Sequence, residues 1–158
     1  MKLPIATLLA SLFFTQTGRA AEPVPFTTDS LAKIEAQYAG RPFILSMWSV
    51  DGCSHCITEL TLFGKLAKTY KNLPLVLVSI DGPEFIPALI KTTRRLGLEN
   101  TQSWIFNDDI PERLRAVIDP AWRGEIPRTY LYDARHRREA IAGLVSETKV
   151  TSWLKQHQ

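Results

Sequence analysis

Short, continuous apolar runs alternate along the chain with longer stretches in which apolar residues recur every three or four positions. Phe43 to Trp48, Phe-Ile-Leu-Ser-Met-Trp, is too short and too continuously apolar for a surface helix and predicts a buried strand. Leu73 to Ile80 predicts a second. Between them, Leu60, Phe63, Leu66, Ala67 and Tyr70 mark one face of an amphipathic helix running from Cys53 to Tyr70. Upstream, Thr28-Asp29-Ser30 offers capping side chains for a helix through Leu31, Ile34 and Tyr38, ended by Gly40. Glu22-Pro23-Val24-Pro25 reads as an extended leader, since each proline biases its predecessor away from helix. Downstream, Glu84 to Leu96 predicts a helix that tolerates Pro87 in its first turn and closes at Gly97. Trp104 to Phe106 predicts a short strand, and Ile110 to Ile118 a short helix stopped by Pro120. Arg128 to Tyr132 and Arg138 to Ala142 predict a hairpin, followed by a last helix from after Ser146 to about Gln156. Strands alternating with helices, then a hairpin and a closing helix, predict an α/β layered domain with a central mixed sheet.

The first residues stand apart from this pattern. Lys2 precedes an apolar run from Leu3 to Phe14, polar Thr15-Gln16-Thr17 follow, and Gly18 and Ala20 supply small residues for a cleavage after Ala20. Residues 1–20 are therefore expected to be a signal peptide, 21–158 the folded domain, and the location periplasmic. An apolar run of about twelve residues falls short of the roughly twenty that span a bilayer. The formal charge of +3 is mostly in that segment, because removing Lys2 and Arg19 leaves 17 basic and 16 acidic side chains. No clustered basic face suggests a nucleic-acid partner. A hydrophobic content of 45% over 158 residues fits one globular domain, expected to be monomeric.

The candidate chemistry lies in Cys53-Ser54-His55-Cys56, which holds both cysteines of the chain. A disulfide across two intervening residues closes almost no loop and removes little entropy from the unfolded state, so reactivity explains it better than stapling. Thiol–disulfide exchange needs a thiolate. Cys53, nearer the helix N-terminus, would feel unpaired N–H groups and the positive end of the dipole, which makes it the expected nucleophile. Cys56, one turn on, is the expected resolving thiol. His55 could stabilise a thiolate, whereas the Asp51 carboxylate would disfavour one or simply cap the helix. Glu59 and Asp81 are candidate proton-transfer groups if buried near Cys56. Structural zinc needs four ligands, and His55, His136 and His157 show no ligand spacing. A copper-delivery module using both thiols and His136 is the non-enzymatic alternative. No metal or other cofactor is expected.

The strand-to-CxxC-to-helix unit Phe43–Tyr70, the strand ending Val78-Ser79-Ile80-Asp81, and Gly124-Glu125-Ile126-Pro127-Arg128-Thr129-Tyr130-Leu131-Tyr132-Asp133 together resemble the thioredoxin superfamily, in particular its exported TlpA-like or ResA-like group. The resemblance implies a three-layer fold and a cis Pro127 facing the cysteines. It also implies that Ile126 presents its backbone to a substrate peptide in a β-like contact. Trp122, just before that segment, is a candidate to line the site. The implied activity is exchange with protein thiols and disulfides, in the reducing direction, with a membrane thiol-reductant transporter as electron donor. Two departures stand out. Val50-Asp51-Gly52 replaces the tryptophan that usually precedes the first cysteine, and Ser-His is nearer the Pro-His of DsbA-type oxidants, which keeps a disulfide-introducing role open.

Overall fold

The computed structural model describes residues 22–157. The expected leader, residues 1–20, lies outside them. Six strands form one sheet in the order β1-β4-β3-β2-β5-β6. They are β1 (Val24–Phe26), β2 (Phe43–Trp48), β3 (Leu75–Ser79), β4 (Gln102–Phe106), β5 (Arg128–Tyr132) and β6 (Arg138–Ala142). The first four of these are mutually parallel, β5 runs antiparallel to β2, and β6 antiparallel to β5. Among the described residues five helices flank the sheet: α1 (Ser30–Gln37), α2 (Ser54–Thr69), α3 (Ile86–Arg95), α4 (Pro111–Ile118) and α5 (Glu147–His157). A single 3-10 turn, Pro83–Phe85, leads into α3.

Side-chain alternation along the strands builds a core on each face of the sheet. Ile44, Trp48, Leu75, Leu77 and Leu131 pack with Cys56, Leu60, Phe63, Leu66, Val150 and Trp153 of α2 and α5. Phe43, Leu45, Met47, Val76, Val78, Tyr130 and Tyr132 face the other way, onto Leu31 and Ile34 of α1 and Leu114 and Ile118 of α4. This is the layered α/β arrangement the pattern predicts. It differs in one strand, because Val24-Pro25-Phe26 pairs with Trp104-Ile105-Phe106 rather than trailing as a leader. An edge strand tolerates Pro25, and Phe26 is fully buried against Trp104 and Phe106.

One close approach ties α2 to the end of α3. A Cβ on Gly64 of α2 would lie 2.0 Å from the Leu96 carbonyl oxygen, just beyond the end of α3. Gly64→Ala is therefore expected to destabilise the protein by about 3 kcal/mol, read as a lower urea midpoint, because backbone rather than a flexible side chain must move.

Candidate functional site

The buried strand β2 delivers the chain to the cysteines. After Trp48 a four-residue loop, Ser49-Val50-Asp51-Gly52, leads to Cys53, which caps α2 instead of lying in its first turn. The two cysteines form a disulfide with Cα atoms 5.3 Å apart. Cys53 is half-buried while Cys56 is fully buried, so a partner can reach only the first sulfur. The Cys56 N–H donates to Cys53 Sγ at 3.2 Å. Once the bond is reduced, the same N–H and the helix dipole favour negative charge on Cys53. The first turn of α2 carries no acidic side chain to oppose them.

Asp81, considered as a proton carrier, instead holds this loop. Its carboxylate accepts from Ser49 Oγ at 2.6 Å and from the Val50 N–H at 2.8 Å, and Ser79 Oγ donates to it as well. Gly52 completes the loop with φ +66°, a conformation a side chain would strain. Asp81→Ala is expected to lower stability by about 2 kcal/mol in urea titration, because two charge-assisted bonds to the loop disappear. Asp51 and His55 are both exposed.

The second arm of the site comes from β5. Met47 pairs with Arg128, so continuing the register sets Pro127 beside Trp48, at the end of β2 from which the cysteine loop departs. The Ile126–Pro127 peptide is cis, and the Pro127 carbonyl accepts the Gly143 N–H at 2.9 Å. Ile126 is half-buried and packs against both cores, and neither of its backbone groups is paired among the described residues. Asp119 anchors the approach to this segment, accepting from Arg128 at 2.9 Å and from the Tyr130 hydroxyl at 3.2 Å. Glu125 accepts from a second Arg128 nitrogen at 2.7 Å.

Trp122 does not line the site. It is 4% exposed within the core on the α1 and α4 face, and its indole N–H donates to the Glu125 carbonyl at 2.8 Å. Its bulk and its one polar atom are both used to support the segment from beneath.

Burial, which sequence could not reveal, singles out Glu59. It is 1% exposed on α2, one turn beyond Cys56 and in the same helical row. Its carboxyl accepts from Ser46 Oγ and from the Val145 N–H, each at 3.1 Å. Loss of water pushes its pKa up to about 7, although the bonds from Val145 and Ser46 and the nearby Thr129 hydroxyl pull the other way. A buried carboxyl poised near neutrality one turn from a buried thiol can exchange a proton with it.

The copper alternative loses its third ligand. His136 bonds the Tyr38 carbonyl at 3.1 Å and packs edge-on against Phe43, the first residue of β2, whereas the cysteines follow its last. A strand of that length separates its ends by about 16 Å. His157 stacks on Trp153 and bonds its carbonyl. Among the described residues no three His, Cys, Asp or Glu side chains converge as a metal site. Nor is any helix among them long and apolar enough to cross a membrane.

Comparison with solved structures identifies the architecture as thioredoxin-like. A secreted Mycobacterium tuberculosis disulfide oxidoreductase, described as homologous to Escherichia coli DsbE, superposes with a TM-score of 0.57 at 18% identity, covering 77% of this chain and 85% of its own. A thioredoxin-family thiol:disulfide interchange protein from Chlorobium tepidum gives a TM-score of 0.57 at 22% identity, with 78% and 83% covered. M. tuberculosis DsbF, solved in mixed oxidised and reduced forms, gives 0.56 at 16% identity, with 77% and 84% covered. No protein family profile and no curated protein matches the sequence.

Proposed function

We propose that this chain is an exported thiol–disulfide oxidoreductase that reduces disulfides in protein substrates through Cys53 and Cys56. The observation that carries the proposal is the pairing of a reachable Cys53 at the cap of α2 with a buried Cys56 one turn behind it. The named activities of the similar M. tuberculosis and C. tepidum proteins support it.

In the reducing direction, the Cys53 thiolate attacks one substrate sulfur. A Cys53–substrate disulfide forms, the substrate disulfide breaks, and its leaving sulfur takes a proton. Cys56 then passes its proton to the Glu59 carboxylate and attacks Cys53 Sγ. The Cys53–substrate bond breaks, the second substrate sulfur leaves and takes a proton, the substrate departs as a dithiol, and the two cysteines are left oxidised as the Cys53–Cys56 disulfide. Ile126 offers unpaired backbone groups to hold a substrate strand beside the sulfurs, and Pro127 closes the side of the site opposite the loop. His55, exposed two residues after Cys53, offers an imidazole N–H toward the thiolate. Regeneration requires a dithiol donor, for which a membrane thiol-reductant transporter fits an exported, monomeric protein. The leader at residues 1–20 supports export to the periplasm.

Insulin reduction coupled to dithiothreitol tests the exchange chemistry, and full activity in Cys53→Ser would defeat it. Equilibration with glutathione tests the direction. A reductant is expected to poise below about −200 mV, whereas a value near −120 mV would assign the chain to disulfide introduction, the role that His55 favours.

A further inference from the structure

On the sheet face beneath α2, β2 and β5 place two buried hydroxyls side by side, whereas the buried Ser79 hydroxyl of β3 on that face is engaged by Asp81. Ser46 and Thr129 are direct cross-strand partners, and both are fully buried. Their neighbours Leu45, Met47 and Tyr130 point to the opposite core, so both hydroxyls point toward α2 and Glu59. Ser46 Oγ donates to Glu59 Oε2, and the Val145 N–H donates to Oε1. The Thr129 hydroxyl lies close enough to act on the same carboxyl, yet makes no hydrogen bond among the described residues. Leaving a buried hydroxyl unpaired costs about 1–3 kcal/mol, and valine would fill the same volume without that cost. Packing therefore does not account for threonine at this position.

We infer that Ser46 and Thr129 are positioning residues for Glu59, with the Thr129 hydroxyl as a reversible partner that accepts from the carboxylic acid and donates to the carboxylate. A hydroxyl can take either role by rotating its hydrogen, which a backbone N–H cannot. The ionised carboxylate then has three donors, and the acid has an acceptor. The inference rests on Glu59 serving as proton acceptor for Cys56, since that is the step in which its charge changes.

Besides the two hydroxyls, β2 contributes Trp48, β5 contributes Leu131, α5 contributes Val150, and α2 contributes Leu60 and Cys56, with Cys53 and Tyr70 partly buried at the margin of the same core. Among the described residues no charged side chain acts on Glu59; only burial and the Val145, Ser46 and Thr129 groups do. Its protonation is governed by burial and hydrogen bonds rather than by ion pairs.

The test is a 13C-carboxyl NMR titration of Glu59 in the full oxidised chain, comparing wild type with Thr129→Val, Thr129→Ser and Ser46→Ala. Thr129→Val and Ser46→Ala are each expected to raise the midpoint by about one unit, whereas Thr129→Ser stays within about 0.3 of wild type. A Thr129→Val midpoint that coincides with wild type overturns the inference. So does a Thr129→Ser midpoint displaced as far as that of valine, because the hydroxyl would then be irrelevant. The pH profile of mixed-disulfide resolution in Glu59→Gln is a separate arm. An unchanged profile removes Glu59 as the proton acceptor, while the NMR titration still judges whether the two hydroxyls govern its charge.

Discussion

Replacing Cys56 with serine is expected to turn the protein into a trap. Cys53 remains reachable at the cap of α2, keeps the helix dipole, and still attacks a substrate disulfide. The mixed disulfide then has no internal thiol to resolve it. Turnover of insulin should fall on the order of 1000-fold or more, while a Cys53-linked adduct accumulates on non-reducing gels and disappears with dithiothreitol. Cys53→Ser should lose the same activity without forming any adduct, since fully buried Cys56 cannot meet a protein partner. The contrast between two variants with equal loss of turnover separates the nucleophile from the resolving thiol. Equal adduct formation in both would contradict the assignment.

Glu59→Gln is expected to stabilise the protein at alkaline pH while slowing its chemistry. The carboxyl has a pKa of about 7 in the folded state against 4.5 as the ordinary value. The folded state thus holds the proton more tightly, and stability falls as pH rises from about 4.5 through about 7. Below that window the acid costs nothing in charge. Above it the buried carboxylate carries a penalty on the order of 3 kcal/mol, which the neutral amide avoids. The amide oxygen can accept from Val145 while its NH2 donates to the Ser46 or Thr129 hydroxyl, so the pocket stays satisfied. Urea midpoints should therefore coincide near pH 4 and favour the variant at pH 8. Mixed-disulfide resolution at pH 7 should slow by about 100-fold, the usual contribution of a positioned base. A variant that is less stable than wild type at pH 8 would mean that the carboxylate is not paying a burial cost.

Much of this arrangement was legible in the residue pattern. β2, β5 and β6 have the predicted limits because continuous apolar runs and a turn-bounded hairpin leave few alternatives. The cysteine spacing and the helix behind it located the reactive pair. β1 escaped notice because two prolines in Glu22-Pro23-Val24-Pro25 mask strand character, and only the pairing of Val24 and Phe26 with Trp104 and Phe106 exposes it. Trp122 is a different kind of miss, since an aromatic near a reactive segment reads alike whether it lies above or beneath. Glu59 and Asp81 were candidates of equal standing until burial and hydrogen bonding separated them. One lies in the core along the helix from Cys56, and the other braces the loop before Cys53. Such distinctions depend on which strands become neighbours, as with Ser46 and Thr129, brought together from 83 positions apart by the β2–β5 pairing.

The order of the strands also bears on how the sheet resists the addition of a further strand. Among the described residues β1 and β6 are the edges of the sheet, where another chain could add itself as a strand. At one margin β1 is only three residues long and carries Pro25, which offers no N–H. At the other, β6 begins with Arg138 and Glu139, opposite charges that a hydrophobic strand adding alongside would have to desolvate. Arg138 is also drawn onto the Tyr130 ring, with its guanidinium 4.9 Å from the ring centroid, and Glu139 is paired to Lys149 at 2.7 Å. The margins of the sheet are thereby guarded against strand-by-strand aggregation, while the surface around Cys53 is left free for transient protein encounters.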